Sequence, residues 1–209
     1  MSIELKNIKP TYMSDAEISA SDIYLQESVK FENGKKYLII ANSGHGKTSV
    51  LNFIFGSNIN FNGIINYNGF SNDDSLDYRK SKISYVFQDF KLFSDLTVFE
   101  NIQLKNTLTK YKTIDEIYTL IEKVYLGHKK DSFVKNLSLG QKQRVAILRA
   151  LCQPFELLLL DEPFSHLDKE NKLIITNLIN QEVQKQNASL IMTSLVETNP
   201  FDFDKILSL

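Results

Sequence analysis

The sequence predicts an α/β fold on three observations. Short apolar runs alternate along the chain with longer stretches of helical periodicity. One run, Tyr37-Leu38-Ile39-Ile40-Ala41, passes straight into a glycine-rich turn and then into a helical stretch. Another, Leu157-Leu158-Leu159-Leu160, ends in the carboxylates Asp161 and Glu162. Ligands of open α/β sheets bind beyond the carboxyl ends of strands, so these two places are where functional residues are expected.

The elements follow in order. Asn33-Gly34 closes an opening polar segment, and residues 37–41 form a buried strand. Val50, Leu51, Ile54 and Phe55 recur at helical spacing, with Gly56 as the stop. Asn62-Gly63 and Asn68-Gly69 bracket Ile64–Tyr67, and both pairs are expected to make tight β-turns. Residues 83–87 form a further strand. The stretch from Asp89 to about Cys152 is mostly helical and reads as an inserted lobe. Within it Thr97 caps a helix with Glu100 as its capping-box partner, and Ser138–Leu151 is a strong helix with Val145, Leu148 and Leu151 on one face. The four-leucine strand comes next, then an amphipathic helix over 171–186, a strand at Leu190–Met192, and Phe203–Leu209 ending the sheet.

Composition bounds the partners. A chain of 209 residues can bury a full core without disulfides or metals. Hydrophobic residues at 43% and charged residues at 23% are globular averages, which excludes global disorder. Lys+Arg number 24 against 25 Asp+Glu, so there is no basic excess and no nucleic-acid partner is expected. The lone Cys152 excludes an internal disulfide, fits a reducing compartment and reads as core. No apolar run approaches the ~18 residues that span a bilayer, and Met1–Lys6 lacks the apolar core of a secretory signal. A cytoplasmic protein is expected. His128 and the Lys129-Lys130 pair read as solvated, and no cluster has the spacing of a structural zinc site.

The turn Ala41-Asn42-Ser43-Gly44-His45-Gly46-Lys47-Thr48, with Ser49 after it, meets the phosphate-loop pattern G-x-x-x-x-G-K-[ST] everywhere except its first glycine. Small residues let backbone N–H groups wrap a phosphate, and the helix N-terminus that follows favours an anion. Lys47 is expected to reach the outer phosphates, and the Thr48 hydroxyl to hold Mg²⁺. Ala41 is compatible with this loop if its φ stays below zero. Asp161 at the strand end can hold Mg²⁺ through water, and Glu162 can polarise an attacking water.

Taken together, these motifs resemble the nucleotide-binding cassettes of ABC transporters over nearly the whole chain, in the family's order. Leu137-Ser138-Leu139-Gly140-Gln141 looks like the signature motif. Val86-Phe87-Gln88-Asp89 looks like the Q-loop, Asp161-Glu162-Pro163 matches the Walker B end, and Ser165-His166-Leu167-Asp168 looks like the D-loop. The stretch from Tyr85 to Ile102 resembles above all the lipoprotein-release and macrolide-export group, while the D-loop phrase is nearer to importer cassettes. The resemblance implies a P-loop NTPase with an ABC-type core, an antiparallel β edge and an inserted helical lobe. The whole chain, 1–209, would be one domain, with 1–88 and 153–209 as the ATP-binding core and 89–152 as the lobe. It implies ATP and Mg²⁺ as ligands and a head-to-tail dimer, with itself or with a paralogous cassette. Each ATP would be held between the P-loop of one chain and Ser138 and its helix in the other. Gln88 would touch Mg²⁺ and the water, and a separate membrane permease would bind the lobe and hold the chain at the cytoplasmic face.

Two departures bear on activity. Leu139 stands where the first signature glycine is expected. Ser194, in Thr193-Ser194-Leu195, stands at the place of the family's switch histidine; serine donates one hydrogen bond but carries no positive charge, so slow hydrolysis is expected. Tyr12 is the first candidate for an adenine-stacking aromatic and Tyr24 the second. The leading function is an ATPase subunit driving transport through the permease. The alternative is a regulatory or weakly hydrolytic nucleotide-binding protein not coupled to transport, and the direction of transport stays open.

Overall fold

The computed structural model describes residues 1–67, 81–196 and 201–209. The chain divides into two compact units: Met1–Tyr85, Phe155–Glu162 and Asn187–Leu209 form the first, and Val86–Pro154 and Pro163–Gln186 the second.

The first unit holds two sheets. One is antiparallel, with β1 (Ile3–Pro10) between β2 (Val29–Phe31) and β4 (Phe61–Tyr67). The other runs β5 (Ile83–Val86), β6 (Leu157–Asp161), β7 (Ser189–Ser194), β3 (Lys36–Ile40) and β8 (Lys205–Ser208). Every residue of β6 is buried, as a continuous leucine run requires of a strand covered on both faces. The pairs β6–β7, β7–β3 and β3–β8 are parallel. Their register sets Asp161 beside Thr193 and Ile40 beside Ser194. The carboxyl ends of β3, β6 and β7 therefore meet along one edge of the sheet. A short helix, α1 (Asp15–Ile18), follows β1, and α2 (Lys47–Phe55) follows β3 and lies against β6. Gly56 ends α2 as expected: at φ 77° it donates its N–H to the carbonyls of Asn52 and Phe53.

The Asn62-Gly63 turn is a correction. Both residues lie inside β4, opposite an irregularity in β1 where the register shifts between Lys6 and Lys9. Gly63 has φ 103°, and a Cβ there would meet the Lys6 and Asn7 carbonyl oxygens at 2.5 Å. The tolerance for positive φ that makes Asn-Gly a turn former here serves a bulge and a close backbone approach. Asn68-Gly69 lies outside the described residues.

The second unit contains α3 (Val98–Thr109), α4 (Ile114–Lys123), α5 (Leu139–Leu151) and α6 (Lys169–Lys185). Thr97 caps α3 with Glu100 closing a capping box, and Thr113 with Glu116 and Ser138 with Gln141 repeat the device on α4 and α5. Helix α5 packs against both α3 and α6. Residues 163–186, expected within the ATP-binding core, group with this helical unit. Two contacts hold them to α5: Arg144 donates to Asn171 Oδ1 at 2.9 Å, and the His166 N–H donates to Gln143 Oε1 at 3.1 Å. Among the described residues, no helix is long and apolar enough to cross a membrane.

A buried ion pair ties the α3–α4 connection to α6. Lys112 Nζ donates to Glu182 Oε2 at 2.8 Å, and both side chains are at most one-tenth exposed. The Tyr111 hydroxyl and Gln186 Nε2 donate to the other carboxylate oxygen. Cys152 is fully buried, and burial pushes its thiol up to about 12. Removing one partner of a buried pair strands the other charge, at a cost of about 3–5 kcal/mol. Glu182→Leu is therefore expected to lower stability by about that amount, read as a reduced midpoint in guanidinium unfolding, because Lys112 stays buried without its carboxylate.

Candidate nucleotide-binding site

The loop after β3 has the conformation a phosphate cradle needs. Gly44 and Gly46 adopt φ 85° and 86°, so both glycines sit where a side chain would be strained. Ala41 is not among the positive-φ residues, which explains why the loop forms without its first glycine. Gly46 is the N-cap of α2, and Lys47 begins the helix. Lys47 Nζ donates to the Ala41 carbonyl at 2.7 Å and to that of Asn42 at 3.0 Å. It also lies 3.3 Å from Glu162 Oε1 while only 5% exposed. Asn42, Ser43, Gly44 and His45 line the exposed rim of the loop, with the His45 ring 3.2 Å from the Ser43 carbonyl.

The carboxylate of Asp161 faces this loop from the end of β6. It is 1% exposed and has a hydroxyl on each oxygen: Thr48 donates to Oδ2 at 2.7 Å and Thr193 to Oδ1 at 2.7 Å. Burial raises its pKa above the ordinary carboxylate value; the two hydroxyls and the Lys47 charge oppose that rise. Glu162 follows at φ 47°, a left-handed conformation uncommon for a residue with a side chain, and its N–H donates to Thr193 Oγ1 at 3.1 Å. Ser194 is placed by its strand partner Ile40: its carbonyl accepts from the Ala41 N–H at 3.4 Å, and its hydroxyl accepts from the Val196 N–H at 3.2 Å.

The two aromatic candidates part company. Tyr12 is 56% exposed and donates its hydroxyl to Ser49 on α2, so its ring is presented beside the loop. Tyr24 is fully buried and donates to the Gly46 carbonyl at 2.8 Å. It packs beneath the loop and has no free face, which removes it as a stacking platform.

The remaining candidates belong to the second unit. Gln88 lies in the segment that follows β5. Ser138 is the N-cap of α5: its hydroxyl accepts from the Gln141 N–H at 3.3 Å, and Gln141 Oε1 accepts from the Ser138 N–H at 3.0 Å. Leu137 is buried, and Leu139 is 54% exposed on the first turn. Gly140 is the position that requires glycine, since a Cβ there would come 2.6 Å from the His166 carbonyl oxygen. His166 stacks edge-on to Phe90 at 5.8 Å and is 2.9 Å from the Ser165 hydroxyl. Leu167 donates its N–H to the Phe164 carbonyl, and Asp168 caps α6 by accepting from Asn171.

A family model described as ABC transporter matches residues 25–165. The chain belongs to the ABC transporter family. It is an ATP-binding subunit of that family. A lipoprotein-releasing system ATP-binding protein, LolD of Buchnera aphidicola subsp. Schizaphis graminum, is 35% identical over 177 residues, covering 80% of this chain and 76% of LolD. The sulfate/thiosulfate import ATP-binding protein CysA of Salmonella typhi is 35% identical over 81% of this chain. The chain spans about half of that protein, 47% of its length. Among solved structures, a dimeric ATP-binding cassette, MJ0796, aligns with a TM-score of 0.75 at 28% identity, covering 93% of this chain and 88% of that one. The same cassette as a dimer bound to ADP and Pi aligns at 0.74 with 27% identity over 92% and 87% of the two chains.

Within this ABC cassette, two residues of the site escaped the reading of the sequence. Thr193 lies just past the strand expected at Leu190–Met192 and drew notice only as the neighbour of Ser194; its one signal was a hydroxyl beside the strand end that the register pairs with Asp161. Tyr24 was weighed for a different role, and nothing local marks its hydroxyl as the support of Gly46. That support defines a test. An alanine at Gly46 would adopt a strained φ of 86° and bring its Cβ 2.8 Å from the Tyr24 hydroxyl. A left-handed residue with a side chain costs roughly 1–2 kcal/mol, so Gly46→Ala is expected to weaken ATP binding by about tenfold or more with the fold retained. Titration with a fluorescent ATP analogue, beside a circular-dichroism melt, measures both.

Proposed function

We propose that this subunit binds ATP with Mg²⁺, hydrolyses it and drives a separate membrane permease, which would hold it at the cytoplasmic face of a membrane. The observation that carries the reading is the convergence of Lys47, Thr48, Asp161 and Glu162 at the carboxyl edge of one sheet. Asp161 and Thr48 offer hard oxygen donors side by side. That suits Mg²⁺, which takes one or two carboxylates together with substrate phosphates. Thr48 and Asp161, joined by Gln88, would hold the ion, which when bound neutralises phosphate charge.

The chain's own groups divide the work. Residues 41–49 offer backbone N–H groups and the α2 N-terminus to the phosphates, and Lys47 supplies a charge to the outer ones. The exposed ring of Tyr12 stacks on adenine. Glu162 accepts a hydrogen bond from the attacking water and orients it. In a head-to-tail dimer, Leu137–Gln141 and the N-terminus of α5 close over the phosphates bound by the other copy, and Ser165–Asp168 face that copy. The dimeric MJ0796 cassettes and the transport systems named for the relatives support this assembly. Residues 1–209 act as one cassette made of the two units.

Glu162→Gln keeps the shape of the side chain and loses the acceptor charge. The variant is expected to bind ATP, turn it over slowly and elute as a dimer with ATP present and as a monomer without it. Gel filtration with light scattering reads the mass, and a monomer at saturating ATP contradicts the assembly.

Ser194 sets the rate in this proposal. Losing one fixed donor to a transferring phosphoryl group costs about 10²–10³ in rate, and a neutral hydroxyl restores part of it. Ser194→His is expected to raise steady-state phosphate release without changing ATP affinity, and Ser194→Ala to lower it. Equal rates in all three proteins would remove Ser194 from the chemistry.

A further inference from the structure

Strand β7 ends at Ser194, yet the residue before it is bound more deeply into the site. Thr193 is 0% exposed. Its hydroxyl makes two hydrogen bonds of opposite sense: it donates to Asp161 Oδ1 at 2.7 Å and accepts from the Glu162 N–H at 3.1 Å. The register of β6 and β7 places it there, because Asp161 and Thr193 are strand partners. The Ser194 hydroxyl, by contrast, is engaged by the N–H of Val196 in a local turn.

The two bonds act on different things. Thr48 occupies the other oxygen of Asp161, so in this structure the carboxylate is held from both sides. The Glu162 N–H is the amide of a residue held at φ 47°. A non-glycine residue in that conformation persists only when its surroundings enforce it, and the conformation sets where the Glu162 side chain points. One hydroxyl thus fixes the ligand orientation of Asp161 and the backbone that aims Glu162.

We infer that Thr193 is a positioning residue of the nucleotide site, acting through Asp161 and Glu162 by orienting the carboxylate for the metal and the glutamate for water. The inference rests on the Mg²⁺-ATP reading above. Its readouts separate it from a merely structural role, because the hydrogen bonds of the Thr193 hydroxyl run to Asp161 and Glu162 and not to residues 41–49.

The test compares wild type, Thr193→Val and Thr193→Ser of the full chain. Valine keeps the shape and removes the hydroxyl, leaving a buried carboxylate oxygen and an N–H without their partner. Serine keeps the hydroxyl. ATP affinity is measured with Mg²⁺ and with EDTA, kcat by phosphate release, and folding by a thermal melt. Valine is expected to lower kcat by at least about tenfold and to weaken ATP binding in Mg²⁺, with EDTA-state affinity within about twofold of wild type. Serine is expected to recover most of both. Wild-type values in the valine variant, equal weakening with and without Mg²⁺, or a serine variant as impaired as valine would each overturn the inference. If the valine variant fails to fold, the serine variant decides alone: impaired kcat in a folded Thr193→Ser protein overturns it, and near-wild-type kcat with unchanged Mg²⁺ dependence upholds it. Absence of ATP binding by wild type would instead overturn the reading on which the inference rests.

Discussion

Burial of one carboxylate organises the nucleotide-binding unit. Asp161 ends a strand made otherwise of leucine and is 1% exposed, in surroundings that disfavour its charge. An ionised carboxylate survives there only if neighbours supply what water would. Thr48 from the helix after the phosphate loop, Thr193 from the next strand and the Lys47 ammonium do so. Those three residues come from α2 and β7, so holding one charge requires the correct placement of the loop, the helix and the central strands. The carboxylate these contacts hold is also the one proposed to meet the metal ion.

The fold was legible because its signals are short-range. The apolar runs at 37–41, 83–87, 157–160 and 190–192 each became a strand of one sheet, and the loop between β3 and α2 lay where strand, glycines and helix coincide. Gly56 and the Thr97–Glu100 box worked because capping is settled by a few neighbouring residues. Ala41 could replace a glycine because the left-handed turns fall at Gly44 and Gly46 instead.

What stayed hidden depends on contacts distant in sequence. Asn62-Gly63 carries the same local chemistry whether it turns a chain or admits a bulge, and only the approach of the Lys6 and Asn7 carbonyls decides. Thr193 and Asp161 are far apart in sequence and meet through strand register. The helix over 169–185 is held in the second unit by Arg144–Asn171 and Lys112–Glu182, which no periodicity encodes. Tyr24 is an aromatic whose burial could not be told from exposure by sequence alone.

The central claim is that a phosphate-binding site is built around Lys47 and the clamped Asp161. A crystal structure of the chain with Mg²⁺ and a non-hydrolysable ATP analogue tests it most directly. The account predicts the Lys47 ammonium on the outer phosphates rather than on Glu162, the Thr48 hydroxyl turned from Asp161 to the metal, and the Thr193–Asp161 bond unchanged. Nucleotide bound away from residues 41–49, with Lys47 still paired to Glu162, would contradict it.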